Sequence, residues 1–87
     1  MKIIGIKQAV LVGKTHSMDV FNLPCVACLI NDPKKLVSDY GFYYKVDTPD
    51  ERIAAFTGDW ICKCQDGKWR VLDSSEYNLY FTKHETK

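Results

Sequence analysis

The sequence predicts an α+β fold: one small domain, 1–87, on a mainly antiparallel sheet of roughly four to five strands, with a short middle helix and a C-terminal helix. Three stretches carry this reading. FYYKVDT alternates Phe42, Tyr44 and Val46 against Tyr43, Lys45 and Asp47, the two-residue period of a half-buried strand. Asp66-Gly67 lies between the strand-like runs WICKC and KWRVL, a strong hairpin signal because both turn positions tolerate positive φ. Asp73 precedes Glu76 by three residues at the head of SSEYNLYF, the spacing of a capping box, and Tyr77, Tyr80 and Phe81 fall on one face of the helix that follows.

In chain order, KIIGIKQAVLV is rich in β-branched and aliphatic residues and reads as the first strand, broken at Gly13. Ser17 is placed to cap a short turn or helix through MDVFN, which Pro24 must end. CVACLI is too short for its apolar run to separate a buried strand from a turn of buried helix. In NDPKKLVSDYG, Asp32 stands as an N-cap with Pro33 at the first helical position and Gly41 as terminator, so one or two helical turns are expected there. Thr48-Pro49-Asp50 closes the FYYKVDT strand. ERIAAF is compatible with strand or helix, but the Thr57-Gly58-Asp59 turn and the WICKC strand after it favour an antiparallel return. Residues 82–87 form a polar tail.

Composition bounds the function. With 87 residues, 46% hydrophobic and 13% aromatic, the chain can bury a core without staples. Twelve Lys and Arg against 11 Asp and Glu give a net charge of +1, which suits neither an acidic nucleic-acid mimic nor a basic phosphate binder. The N-terminal segment is interrupted by Gly5, Lys7 and Gln8, so neither a membrane span nor a secretory leader is expected, and the location follows as cytoplasmic. The four cysteines, Cys25, Cys28, Cys62 and Cys64, are then expected to be reduced.

Chemically suggestive residues crowd into FTGDWICKCQDGKW. On a strand, Trp60, Cys62 and Cys64 share one face, with the two sulfurs about 6–7 Å apart. Joined by Cys25 and Cys28, they raise the alternative of a zinc site, and a redox pair is a further one. Zinc-binding cysteines usually project from polar turns, whereas PCVACLI is apolar throughout, so buried thiols are the favoured reading and no metal or cofactor is expected. Trp60 and Trp69 read first as a cross-strand or core pair stabilising the hairpin, and second as a stacking platform edged by Lys68, Arg70 and Tyr43. Asp59 reads as a turn residue bonding its own backbone. His16 and His84 have no partnered Ser or Cys nucleophile, and the carboxylates at 47, 50, 51 and 59 do not follow a calcium loop, so the chain reads as non-catalytic.

VDTPDERIAAFTGDWICKCQDGKWRVLDSSEYNLYF resembles the C-terminal half of a family of small phage and prophage proteins. Their pattern is a Thr-Pro-Glu-Gly-like turn, a Pro-Gly-Asp-Trp-Ile motif, an acidic-Gly hairpin, an aromatic strand and a final helix with spaced aromatics. KIIGIKQAV is similar to their opening strand. The likeness covers Val46 to Phe81 and centres on Gly58-Asp59-Trp60-Ile61 with Asp66-Gly67. Thr57 stands where the pattern has Pro, Glu51 where it has Gly, and the cysteines lie outside it.

What the resemblance implies is a phage accessory protein. The expected function is counter-defence: an anti-CRISPR-like inhibitor that binds and occludes a bacterial immune protein in the host cytoplasm. The alternative is an oligomeric sponge that sequesters a nucleotide second messenger of anti-phage signalling. The expected binding residues are Tyr43, Lys45, Lys63, Lys68, Trp69 and Arg70, aromatic and cationic positions around the hairpin. Partners are a bacterial defence protein or a nucleotide signal, with no membrane and no direct nucleic-acid contact expected and homo-oligomerisation admitted.

Overall fold

A computed structural model describes residues 5–85, the side chains of 80–85 excepted. In chain order the elements are β1 (Ile6–Leu11), α1 (Met18–Phe21), β2 (Val26–Asn31), β3 (Phe42–Asp47), β4 (Arg52–Ala55), β5 (Trp60–Cys64), β6 (Trp69–Leu72) and α2 (Ser74–Glu85). The strands make two antiparallel three-stranded sheets, ordered β1-β5-β6 and β2-β3-β4. The chain is therefore mostly sheet with two short helices, an α+β-like arrangement, and the expectation of one sheet of four to five strands is corrected to six strands in two sheets.

The two sheets share one core. Phe42, Tyr44 and Val46 of β3 and Ala55 of β4 meet Ile61 of β5, with Val10, Trp69 and Val71 of the first sheet packed around them. Alternation explains the choice of face, since β3 runs buried, half-buried, buried, half-buried, buried along Phe42 to Val46. Val12, Val20 and Cys25 close the core where the chain passes from β1 through α1 into β2.

The step from β4 to β5 is not the antiparallel return expected from sequence, because these strands belong to different sheets. At the corner Asp59 N–H donates to Phe56 O at 2.9 Å around Gly58, whose φ is +96°, the conformation a type II turn demands at that position. The corner is tied to the end of β1, where Val12 N–H donates to Asp59 O and Gly58 N–H donates to Val12 O, each at 2.9 Å. Those bonds spend the turn's main-chain groups on β1 instead of on a β4–β5 ladder. Asp59 keeps its expected role, its Oδ2 accepting from Phe56 N–H at 2.9 Å, and burial pushes its carboxyl above the usual range against that bond's pull.

The expected β5–β6 hairpin forms with a different turn. Gly67 N–H donates to Cys64 O and Cys64 N–H donates to Lys68 O, both at 2.9 Å, and only Gly67 of the loop has positive φ, at +83°. This is a three-residue loop with a glycine bulge, so Asp66 stays right-handed and uses its carboxylate to accept from Lys68 N–H. The C-terminal capping box is present: Asp73 Oδ1 accepts from Glu76 N–H at 2.8 Å, and Glu76 Oε1 accepts from Asp73 N–H at 3.1 Å. Helix α2 continues to Glu85, into the stretch read as a polar tail. The Tyr80 and Phe81 part of its aromatic face lies outside the described side chains.

The helix expected within residues 32–41 does not form. That stretch is irregular, and the short helix is α1, capped as expected by Ser17, whose Oγ accepts from Val20 N–H. Asp32 does not cap a helix because its carboxylate instead accepts from three consecutive main-chain N–H groups beyond Lys35: Leu36 at 2.8 Å, Val37 at 2.7 Å and Ser38 at 2.8 Å. Lys35 between them takes φ +53°, which ends helical progress.

Candidate interaction surface

The sequence-predicted residues do not converge on one spot. Tyr43 and Lys45 lie on the outer face of the β2-β3-β4 sheet, with Lys45 Nζ 5.7 Å from the Tyr43 ring centre and Phe56 against the same ring. Lys63 and Trp69 are cross-strand partners on the core-facing side of the other sheet, where Trp69 packs against the core. Lys68 is exposed in the hairpin loop, and Arg70 sits across from Cys62 on the far face of that sheet. Arg70 is engaged, its guanidinium donating to both Asp66 oxygens at 3.2 and 3.0 Å. That bond, and then one to Cys64, raises the guanidinium pKa, while Asp66 is lowered chiefly by Arg70.

The tryptophans do not pair with each other. Trp60 faces Leu72 and Trp69 faces Lys63 across the β5–β6 ladder. Trp60 instead stacks on Tyr77 of α2, ring centres 4.0 Å apart and planes 8° from parallel. The indole that looked like a hairpin staple thus holds the helix to the sheet.

The cysteines are split by the β1-β5-β6 sheet. Cys25 belongs to the core between the sheets, while Cys62 and Cys64 are buried on the other face, sharing it with Trp60 as the alternation expected. All four are free thiols and Cys28 is half-buried. Burial pushes Cys62 up to about 12 and Cys25 up to about 11, which keeps both protonated and poor as nucleophiles or ligands. Among the described residues no group of three or more His, Cys, Asp or Glu is placed to hold a metal ion.

What the structure does gather is apolar surface. Among the described residues, Leu11 and Leu79 are large hydrophobics exposed outside residues 18–40, and Met18, Phe21, Leu36, Val37 and Tyr40 are large hydrophobics left exposed within that stretch. Two features present them. The first is the 32–41 loop, in which Leu36 is 80% and Val37 60% exposed although their amides are bound by the Asp32 carboxylate. Asp32 N–H donates to Gly41 O at 2.6 Å to close the loop, and a Cβ on Gly41, at φ +82°, would stand 3.3 Å from Asp32 O. Three N–H donors, Ser38 first, hold the Asp32 carboxyl below the usual aspartate range, so the clamp is ionised at neutral pH.

The second feature is a cleft of about 600 Å³ between α1 and β2, lined by His16, Ser17, Met18, Phe21, Cys28, Leu29 and Tyr44. Its wall is fixed by Tyr44, whose hydroxyl accepts from Ser17 N–H at 3.0 Å. The sequence reading missed the loop because residues 32–41 were expected to be helical, and missed the cleft because nothing along the chain states that α1, itself expected, lies beside β2.

Comparison with protein-family models, with curated proteins and with solved structures finds no match. Among the described residues no helix is long and apolar enough to cross a membrane.

Proposed function

We propose that the chain is a non-catalytic binding protein, a phage accessory inhibitor that occludes a bacterial immune protein in the host cytoplasm in the manner of an anti-CRISPR. The observation that carries the binding part is the loop at 32–41, where a clamped backbone holds Leu36 and Val37 in water at 80% and 60% exposure. Apolar side chains on a rigid frame lose little entropy on docking, which is how small interfaces reach useful affinity. The likeness of Val46 to Phe81 to small phage proteins suggests only the phage setting, and the immune target is the role we propose for a small binding protein in that setting.

The nucleotide-sponge alternative needs several cations around one phosphate. Lys45 and Arg70 lie on outward faces of different sheets and Arg70 is held by Asp66, so occlusion is the preferred reading. Its test is plating efficiency of a defence-sensitive phage on hosts carrying one immune system at a time, with and without the chain, followed by light scattering of the chain mixed with each purified effector. Restored plating with a stoichiometric complex is expected. Unchanged plating on every immune system tested would sink the immune assignment, and heat on mixing with cyclic oligonucleotides would move the function to the sponge.

A further inference from the structure

The cleft beside α1 is bounded on its other side by the open edge of β2. Cys28 and Leu29 are consecutive on a strand, so their side chains point to opposite faces, yet both line the cleft. It therefore runs along the strand's edge. Among the described residues β2 pairs with β3 alone. The phase of that ladder follows from Asp32 N–H donating to Gly41 O, one step beyond the Asn31↔Phe42 pair. Antiparallel pairs alternate, so Cys28 and Ile30 turn their main chain toward β3, whereas Leu29 and Asn31 turn theirs outward.

This edge differs from the others. The edge strands β1, β4 and β6 carry Lys7, Arg52 and Arg70, while VACLIN of β2 carries no charge and is interrupted only by the bulge between Val26 and Cys28. Charged residues are the usual guard against strand addition, and this strand lacks them. No carboxylate, lysine or arginine is among the described residues lining the cleft, whose volume falls within the roughly 300–1,000 Å³ of ligand-binding clefts. Met18, 64% exposed, and Phe21, 42% exposed, form its outer lip.

We propose that an extended, uncharged segment of a partner protein adds to β2 as a further strand and places a large apolar side chain between Met18, Phe21 and Leu29. An extended backbone is the chemistry that satisfies two outward-facing peptide groups in a row, and the apolar cleft selects the side chain beside them. The proposal rests on the reading of the chain as a binding protein and gives that reading its mode of recognition.

The test uses the full chain and a displayed library of random heptapeptides. Selected peptides are expected to alternate large apolar with uncharged residues. A synthetic copy of the top sequence is expected to slow hydrogen exchange at the Leu29 and Asn31 amides by about tenfold or more at saturation. Asn31→Pro removes an outward donor without touching the β3 ladder and is expected to weaken the peptide about tenfold. Met18→Lys, at an exposed position that leaves the strand intact, is expected to do the same and guards against a folding defect in the first variant. Peptides indifferent to both substitutions, or no enrichment over the Met18→Lys chain, would overturn the proposal. So would a chain that sediments as a dimer with those amides already protected, since a second copy would then be the occupant. An immune target bound equally by both variants would discard the cleft and keep the inhibitor, whereas peptide capture with no immune target would do the reverse.

Discussion

Tyr43 and Tyr44 are the same residue side by side on β3, and the fold makes their hydroxyls unequal. Tyr44 is 1% exposed and its hydroxyl accepts from Ser17 N–H at 3.0 Å, reaching Ser17 O only at 3.4 Å. Tyr43 lies on the outer face, and among the described residues no hydrogen bond to its hydroxyl is found. Tyr44→Phe keeps the buried ring and removes one good hydrogen bond, leaving the Ser17 N–H to whatever water reaches that part-buried site. Such a loss is about 1–2 kcal/mol. For a domain of this size, that lowers the melting temperature by roughly 5–12 °C. Tyr43→Phe falls within about 0.5 kcal/mol of wild type. Because Ser17 is the N-cap of α1, Tyr44→Phe is also expected to speed amide exchange at Phe21 and Asn22, which donate to Ser17 O and Met18 O. Thermal unfolding together with exchange mass spectrometry reads both effects. Equal melting temperatures for the two variants, or a loss at Tyr43→Phe alone, would refute the assignment of faces and with it the anchoring of α1.

Gly67→Ala is expected to cost about 1–2 kcal/mol in urea unfolding and Gly67→Asn less, because only Asn tolerates a left-handed position, which Gly67 occupies at φ +83°. Equal losses would point to a turn without that strain. Under native alkylation with peptide mapping, Cys28 is expected to react first, while Cys25 and Cys62, buried with thiols pushed up to about 11 and about 12, wait for unfolding. Labelling of Cys62 ahead of Cys28 would contradict the helix-covered face. Asp32 contributes stability that is complete above its unfolded value of about 3.9 and is lost as pH falls through its lower folded value. Asp32→Asn is therefore expected to flatten the acid limb of a stability-against-pH curve, and an unchanged limb would remove the clamp from the account.

Local chemistry was legible wherever a residue's partner lies within a few positions. Asp73 with Glu76, Ser17 with Val20 and Asp59 with Phe56 all make the bonds their spacing suggested. The exceptions are instructive. Asp32 and Pro33 carry a helix signature, yet the carboxylate reaches past Lys35 to Leu36, Val37 and Ser38, and three bonds to one side chain outweigh a helical turn too short to propagate. Asp66-Gly67 marks a hairpin in either register, so the sequence located the turn and left its type open.

By itself the sequence determined which residues of β3 turn inward, where the β5–β6 hairpin bends and how α2 starts, because periodicity and capping are properties of neighbours along the chain. Only the tertiary structure decided that β4 and β5 part into separate sheets, that Trp60 finds Tyr77 instead of Trp69, and that an uncharged β2 is left with an open edge beside α1. Those outcomes depend on contacts between segments far apart in sequence. A strand's alternation states that it has a buried face, and says nothing about which strand will lie beside it or what will cover that face.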